Sequence, residues 1–335
     1  MSAVARRRVL RASVAAAALL GAGGAVRGGR ASAAGAADAS GRPVSAAPFA
    51  FALLGDAPYG EAGAARFAQV LRHLDDEALA CVIHVGDLKG GGEPCDDGLL
   101  EHRVRLLATS AHPLVLLPGD NDWADCARPP AGAHDPLERL DALRRLAFSA
   151  PEALGRDPPT RRSLRLQRQP GWPENVRWRI ADVHFVGLHV VGSGDGRGDS
   201  PRLEAAARER RQAVLSWLSS CRAAALRDQA GALVVAFHAN PGFRRASPAY
   251  ADFVDALQAT AEAFDGPILL LHGDTHVFRA DHPLLDARGR PFAHVTRVEC
   301  FGHPLDRAWV RITHDPALPG RFSVGTRELP PGPSP

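Results

Sequence analysis

Five places in this chain put a carboxylate or an imidazole directly after an apolar run. Gly55-Asp56 follows residues 49–54, Gly86-Asp87 follows 80–85, and Gly119-Asp120-Asn121-Asp122 follows 114–117. His238 follows 233–237, and His272-Gly273-Asp274-Thr275-His276 follows 268–271. A single Gly-Asp after a strand is a common turn. Five such ends, two carrying histidine, read instead as one ligand set. Carboxylates packed on a common edge repel one another and hold protons unless cations neutralise them. A pair of divalent cations is the natural neutraliser, and it brings hydrolytic chemistry with it.

The positioning elements can be read from periodicity. Apolar runs at 49–54, 80–85 and 114–117 alternate with helical spacing at 62–76 and 97–110, which predicts β-α-β-α-β with parallel strands and right-handed crossovers. Further helices are predicted over 136–147, 202–227 and 250–263, and strands over 233–237 and 268–271. The segment 176–191 alternates and reads as a hairpin turning at Ala181-Asp182. Residues 150–173, rich in Pro and Arg, read as a loop, as does the Gly/Asp run from Gly192 to Asp199, whose Arg197-Gly198-Asp199 is ascribed to chance composition. Short alternating segments over 294–324 read as closing antiparallel strands. Strands in such a sheet gather their ligands at its carboxyl edge, so the five ends should converge.

In order and strand context the five sites resemble the calcineurin-like metallophosphoesterases, whose motifs are D-x-H, G-D-x-x-D, G-N-H-[DE], a lone His after a strand, and G-H-x-H. Here they read Gly55-Asp56-Ala57-Pro58-Tyr59, Gly86-Asp87-Leu88-Lys89-Gly90, Gly119-Asp120-Asn121-Asp122, Phe237-His238 and Gly273-Asp274-Thr275-His276, across residues 49–280. The resemblance implies an α/β fold with mixed central β-sheets flanked by helices. It implies two divalent ions, Mn, Fe, Mg or Zn, and hydrolysis of a phosphate ester by a hydroxide bridging them. Carried over by position, Asp87 bridges both ions, Asp56 and His276 bind the first, and Asp120, His238 and Asp274 bind the second.

The departures from the family pattern have consequences. Pro58 replaces a ligand His, so neighbouring Tyr59 or water must fill that place. Asp120 stands for Asn and Asp274 for His, which favours hard, oxygen-loving ions over a zinc pair. Asn121 replaces a proton-donating His, a loss worth about 10²–10⁴-fold for poor leaving groups. Asn121 would steady the leaving oxygen, and Asp122 would orient Asn121 or a ligand His, the alternative being an aspartate that caps the turn. His84, His189 and His272 are possible substitute donors, although each reads better as a hydrogen-bonded structural residue. Trp123 is expected to pack under the loop. Arg161, Arg162 and Arg165 could clamp a phosphate, although a solvated basic face suits them better. The alternative to an enzyme is a degenerate metal-binding or ligand-binding module on the same fold. A serine esterase is excluded by the lack of a G-x-S-x-G elbow, and a haloacid-dehalogenase-type phosphatase by Asp56-Ala57-Pro58, which lacks the needed Asp-x-Asp.

Composition supports a globular protein: 335 residues, 45% hydrophobic and 23% charged, with a formal net charge of +3 that gives no case for nucleic acid. Lys89 is the only lysine; the remaining positive charge is arginine. Residues 6–11, Arg-Arg-Arg-Val-Leu-Arg, match a twin-arginine export signal, followed by an apolar, alanine-rich run over 12–25 and an Ala31-Ser32-Ala33 cleavage site. This divides the chain into a signal peptide (1–37), a linker (38–47), a phosphoesterase domain (48–329) and a tail (330–335). The expected product is an exported, periplasmic or extracellular monomer acting on a small phosphorylated substrate, with no membrane span once the signal is removed. Of the five cysteines, Cys95 and Cys126 are the best disulfide candidates in an oxidising compartment, while Cys81, Cys221 and Cys300 read as core residues.

Overall fold

The computed structural model describes residues 47–156, 164–198 and 200–329, together with the two-residue strands Ala36–Ala37 and Pro43–Val44. The twin-arginine segment, its cleavage site, Arg161, Arg162, Asp199 and the Pro-rich tail lie outside the described residues. The chain divides into units Met1–Pro43 and Val44–Pro335, and every element from Phe49 on belongs to the second.

Strand β1 (Phe49–Leu54) leads through α1 (Gly60–Asp75) to β2 (Val82–His84), and through α2 (Asp97–Leu107) to β3 (Leu114–Leu116). The three strands pair in parallel, with Leu54 opposite His84 and His84 opposite Leu116, as the β-α-β-α-β reading requires. After α3 (Pro136–Ala147) the chain enters a second sheet with β4 (Gln167–Gln169), β5 (Trp172–Ile180) and β6 (Val183–Gly187). Helix α4 (Pro201–Arg227), β7 (Ala232–Ala236), α5 (Ala251–Ala263) and β8 (Ile268–His272) follow. The last strands are β9 (Arg279–Asp281), β10 (Val295–Glu299), β11 (Ala308–His314) and β12 (Phe322–Glu328). One sheet runs β12-β11-β1-β2-β3 and the other β9-β10-β8-β7-β6-β5-β4; both are mixed.

The helix starts follow local chemistry. Asp96, Asp135 and Ser200 cap α2, α3 and α4 by accepting from Leu99, Leu137 and Leu203 backbone N–H groups, and Pro136 and Pro201 occupy the first helical positions. The two sheets pack face to face. Phe51, Leu53, Ile83 and Val115 meet Phe185, Val234, Leu269 and Leu271 between them. The opposite face of β1, Ala50, Ala52 and Leu54, packs against α1, α2 and α3 through Phe67, Leu71, Leu107 and Leu143. The outer face of the second sheet is covered by α4 and α5. With both faces covered, β1 and β7 are apolar at every position and β8 at all but its terminal His272, which is why they stand out in the sequence. Burial of each such Leu or Phe contributes about 1.5–3 kcal/mol. No described helix is long and apolar enough to cross a membrane.

Two sequence expectations are corrected. Strand β10 pairs in parallel with β8, Ile268 opposite Val295, so 294–324 is not wholly antiparallel. The alternation in Val-Thr-Arg-Val-Glu fits either direction; the connection after β9 sets it. The 150–173 segment is not all loop. It contains β4 and the start of β5, and Leu154 pairs with Leu114 beside β3.

Candidate metal centre

The exits of β1, β2, β3, β7 and β8 meet where the carboxyl ends of the two sheets adjoin. Backbone bonds lock them together: Asp56 N–H donates to Gly86 O at 2.9 Å and Gly273 N–H to His238 O at 3.0 Å. Asp274 N–H reaches both Asp56 carboxylate oxygens at 3.1 Å. Four of the six expected ligands hold left-handed backbone, with φ of 52° at Asp56, 62° at Asp87, 80° at Asp274 and 63° at His276. Such positions cost roughly 1–2 kcal/mol each outside glycine and persist where the surroundings over-determine them.

The glycine before each aspartate answers to a neighbouring strand. A Cβ on Gly119 would stand 2.0 Å from Asp87 Oδ1, and one on Gly273 would stand 2.3 Å from Asp56 Oδ2. The Gly-Asp grammar is therefore in part a packing rule: the Asp87 carboxylate lies against the bare backbone of Gly119, and that of Asp56 against Gly273.

The ligand atoms form two groups, each within 4.8 Å: Asp56, Asp87 and His238, and Asp120, His238 and Asp274. The second is the set expected for the second ion. The first differs from expectation. His238 Nε2 stands between the groups, 3.0 Å from Asp120 Oδ1 and 3.5 Å from Asp87 Oδ1. His276, with a side chain 31% exposed, lies at the edge, its Nε2 3.5 Å from Asp56 Oδ1. Both histidines are oriented for ligation. His238 Nδ1 faces Val85 O at 2.9 Å and His276 Nδ1 faces His303 O at 2.6 Å. A carbonyl only accepts, so each Nδ1 carries the proton and each Nε2 is turned towards the carboxylates, where a cation shared with them would meet its lone pair.

The donor set fits a cation. Asp120 Oδ1 and His238 Nε2 are buried, are not aligned on each other, and have no hydrogen-bond partner. Burial raises the Asp87 carboxyl well above its ordinary range, with Asp120, Asp122 and Asp56 adding to it against His238. Burial likewise raises Asp56 and Asp274. For His238 burial opposes charge, but Asp87, Asp120 and Asp56 outweigh it and raise the imidazole well above its usual value. The centre therefore gathers protons to balance its carboxylates, and divalent ions would balance them in place of protons.

Tyr59 is inside the site, its hydroxyl donating to Asp87 Oδ2 at 2.9 Å and lying 3.4 Å from His276 Nε2. Asn121 donates its backbone N–H to Asp87 Oδ1 at 3.0 Å, and its amide to Asp87 Oδ2 at 2.6 Å and Tyr59 Oη at 3.2 Å. Asp122 orients neither Asn121 nor a histidine; the turn-capping alternative holds instead. Fully buried, it accepts from the backbone of Gly119 (2.8 Å), Asp87 (3.1 Å) and Leu88 (2.6 Å), pinning the strained Asp87 turn. Trp123 packs beneath the loop as expected, fully buried against Arg210 and His189.

The three possible substitute donors are structural. His84 bonds Ala57 O, His189 bonds Glu174, and His272 bonds Gly273 O. Burial lowers them to about 4, about 4 and about 3 respectively. Arg165 lies away from the centre, beside Arg177 and Arg179 on β5. Cys95 and Cys126 form a disulfide that clasps the loop behind Asn121, while Cys81, Cys221 and Cys300 are free and buried.

The sequence reading missed several groups. Ser193 donates to Asp120 Oδ2 at 2.6 Å. Asn240 N–H donates to Asp274 Oδ2 at 2.8 Å. Cys300, beyond the end of β10, donates to Asp56 Oδ2 at 3.7 Å. Arg128 bonds Ser193 at 3.4 Å and Asp125 at 2.6 Å. Its Nη1 and Asn121 Oδ1 both lie within 2.7 Å of where a Cβ on Gly91 would stand. Only the Gly302-His303 pair after β10 carried a sequence signal, the same grammar of a strand ending in Gly and a ligand type.

The sequence matches no protein-family model and no curated protein. Among solved structures, a dimetal phosphatase from Danio rerio is similar, with 13% identity and a TM-score of 0.50 over 79% of this chain and 92% of that one. A purple acid phosphatase from yellow lupin (Lupinus luteus) seeds aligns at 10% identity and a TM-score of 0.46, over 85% of this chain and 54% of that one. A phosphatase from Mycoplasma pneumoniae aligns at 12% identity and a TM-score of 0.41, over 84% and 94%. At such identities the likeness is one of fold. Two mixed sheets packed face to face between helix layers, with carboxylates and imidazoles gathered at their carboxyl edges, give this chain the fold of the calcineurin-like metallophosphoesterases.

Proposed function

We propose that this protein is a metal-dependent phosphoric ester hydrolase with a two-ion centre. The observation that carries the reading is the pair of adjoining ligand groups sharing His238, with two of their buried atoms lacking any hydrogen-bond partner. Asp56, Asp87 and His276, with Tyr59 beside them, would hold one ion; Asp87, Asp120, His238 and Asp274 would hold the other. Four carboxylates in this set favour Mn, Fe or Mg over a zinc pair. When bound, the ions supply Lewis acidity and the activated water that attacks phosphorus.

The chain's own residues do the rest. Asp122 fixes the Asp87 turn, Asn121 orients the Asp87 carboxylate, and Ser193 orients Asp120. With no histidine at Asn121 to protonate the leaving oxygen, esters with good leaving groups should turn over best. The test is hydrolysis of para-nitrophenyl phosphate and its bis-ester by purified protein supplied with Mn²⁺, Fe²⁺, Mg²⁺ or Zn²⁺, alongside Asp87→Asn. Turnover with a hard ion that is lost in the variant supports the reading; undiminished turnover in the variant sinks it. A second reading, a metal-binding module without catalysis, draws on Pro58 at a ligand position and on the Asn121 amide, which is occupied by Asp87 and Tyr59. Tight metal binding without turnover would favour it. The twin-arginine-type leader would deliver the folded, loaded protein outside the cytoplasm, and retention of an Arg6→Lys/Arg7→Lys double variant in the cytoplasm would support that route.

A further inference from the structure

Beside the centre lies a cavity of about 480 Å³, within the range of small-molecule sites. Its wall includes Ala127, Pro136 and Leu203, and its polar lining is Arg128, Arg197, Ser193 and Asp125. It is contiguous with the candidate metal ligands. Ser193 bonds Asp120, Asp125 N–H donates to Asp120 O at 2.9 Å, and Arg128 reaches from Ser193 towards Asn121.

The wall that carries Ser193 and Arg197 is built at a cost. Ser193, Gly194, Asp195 and Gly196 run through left-handed backbone, with φ of 50°, 69°, 62° and 61°. Ser193 and Asp195 pay roughly 1–2 kcal/mol each for it. The turn is held from behind. Tyr250 Oη accepts from Asp195 N–H at 3.1 Å and donates to Val191 O at 2.8 Å. The buried Arg210 bonds Asp195 O and lies 3.3 Å from its carboxylate. A strained turn locked on its inner side, presenting a hydroxyl and a guanidinium on its outer side, is a fixed recognition surface rather than a slack loop of chance composition.

The charge on this surface is unequal. Arg128 is paired with Asp125 at 2.6 Å. Arg197 is exposed and has no ion-pair partner among the described residues. The amino end of α4, a 27-residue helix, opens on the same cavity through Ser200 and Leu203, and its dipole adds to the preference for an anion.

Resting on the phosphoesterase reading, we propose that this cavity receives the organic part of the substrate, and that Arg197 and Arg128 bind a second anionic group on it. The substrate class is then a phosphate ester of a small organic molecule that bears a further carboxylate or phosphate. Leu203 and Pro136 pack the carbon skeleton, Arg197 takes the distal anion, and Arg128, already paired with Asp125, adds a weaker contact to it.

The test uses two non-hydrolysable probes, benzylphosphonate and 4-carboxybenzylphosphonate, titrated calorimetrically into the full protein with Mn²⁺, for the unaltered chain and for Arg197→Met and Arg128→Met. A charge-assisted contact should give the carboxylated probe about a tenfold or greater advantage. That advantage, read as the ratio of the two affinities within each protein, should fall to near unity in Arg197→Met and shrink in Arg128→Met. Equal affinity for the two probes, or an advantage untouched by both substitutions, would overturn the proposal. The phosphoesterase reading fails separately: a protein that shows the anion preference but hydrolyses no ester with any metal keeps the anion cavity and loses the enzyme.

Discussion

Replacing Gly119 by alanine should disable metal binding while leaving the fold intact. The added Cβ would stand 2.0 Å from Asp87 Oδ1, 2.4 Å from Asp87 N and 2.8 Å from Asp87 Cγ. Restoring ordinary contact at about 3.4 Å moves the Asp87 carboxylate oxygen by about 1.4 Å and the backbone N by about 1 Å. Asp122 resists, because it bonds the N–H groups of Gly119 and Asp87 together. Overpacking of this kind costs about 1–3 kcal/mol of stability. The effect on metal should exceed that cost, since Asp87 faces both His238 and Asp56, and losing the support of a ligand alone typically lowers affinity by about 10–100-fold. The comparison variant is Gly92→Ala, whose Cβ would meet only Pro130 Cβ, at 3.8 Å. Mn²⁺ affinity by calorimetry and thermal unfolding with and without chelator would be measured for both. Metal affinity should fall at least tenfold in Gly119→Ala and stay unchanged in Gly92→Ala, with Gly119→Ala still unfolding cooperatively. Unaltered Mn²⁺ affinity in Gly119→Ala would refute the claim that the Asp87 turn is held in place by this contact.

Three further outcomes are expected. Asp122→Ala frees three backbone donors around Asp87 and should cost about 3 kcal/mol or more of stability in denaturant unfolding, well beyond a surface change. Glu174 is buried between His189 and Arg144; burial opposes its charge, but these two outweigh it and hold its carboxyl at about 2, below its ordinary 4.5. Stability from Glu174 is therefore present above pH 4.5 and lost as pH falls towards 2, so Glu174→Gln should lower stability at neutral pH by roughly 2 kcal/mol and flatten the acid limb of the stability curve. Reducing Cys95–Cys126, which closes a loop across 31 positions, should cost about 2–4 kcal/mol and weaken metal affinity through Asn121, as unfolding and titration with and without reductant would show.

What could be read from the sequence was local. An apolar run ending in Gly-Asp or His announces itself within ten residues, so β1, β2, β3, β7 and β8 and the residues at their ends were legible, as was α3 over Pro136–Ala147. The capture of backbone by Asp122 was legible only as one of two alternatives, because an aspartate that orients a side chain and one that caps a turn have the same neighbours in sequence. Ser193 and Arg128 meet 65 positions apart, and only the packing of the second sheet against the first brings them to Asp120. The Arg-rich insert drew attention as a phosphate clamp by composition alone. Among the described residues, the arginines beside the centre are Arg128, after the disulfide, and Arg197, in a glycine-rich turn whose composition hid its strain.

The central claim is that these strand ends form one two-ion site. Its most direct test is the metal content of natively purified protein, by elemental analysis, for the unaltered chain and for Asp87→Asn and His238→Ala. Two divalent ions per chain are expected, falling to one or none in either variant. A chain that retains no divalent metal, or variants that keep both ions, would contradict the account.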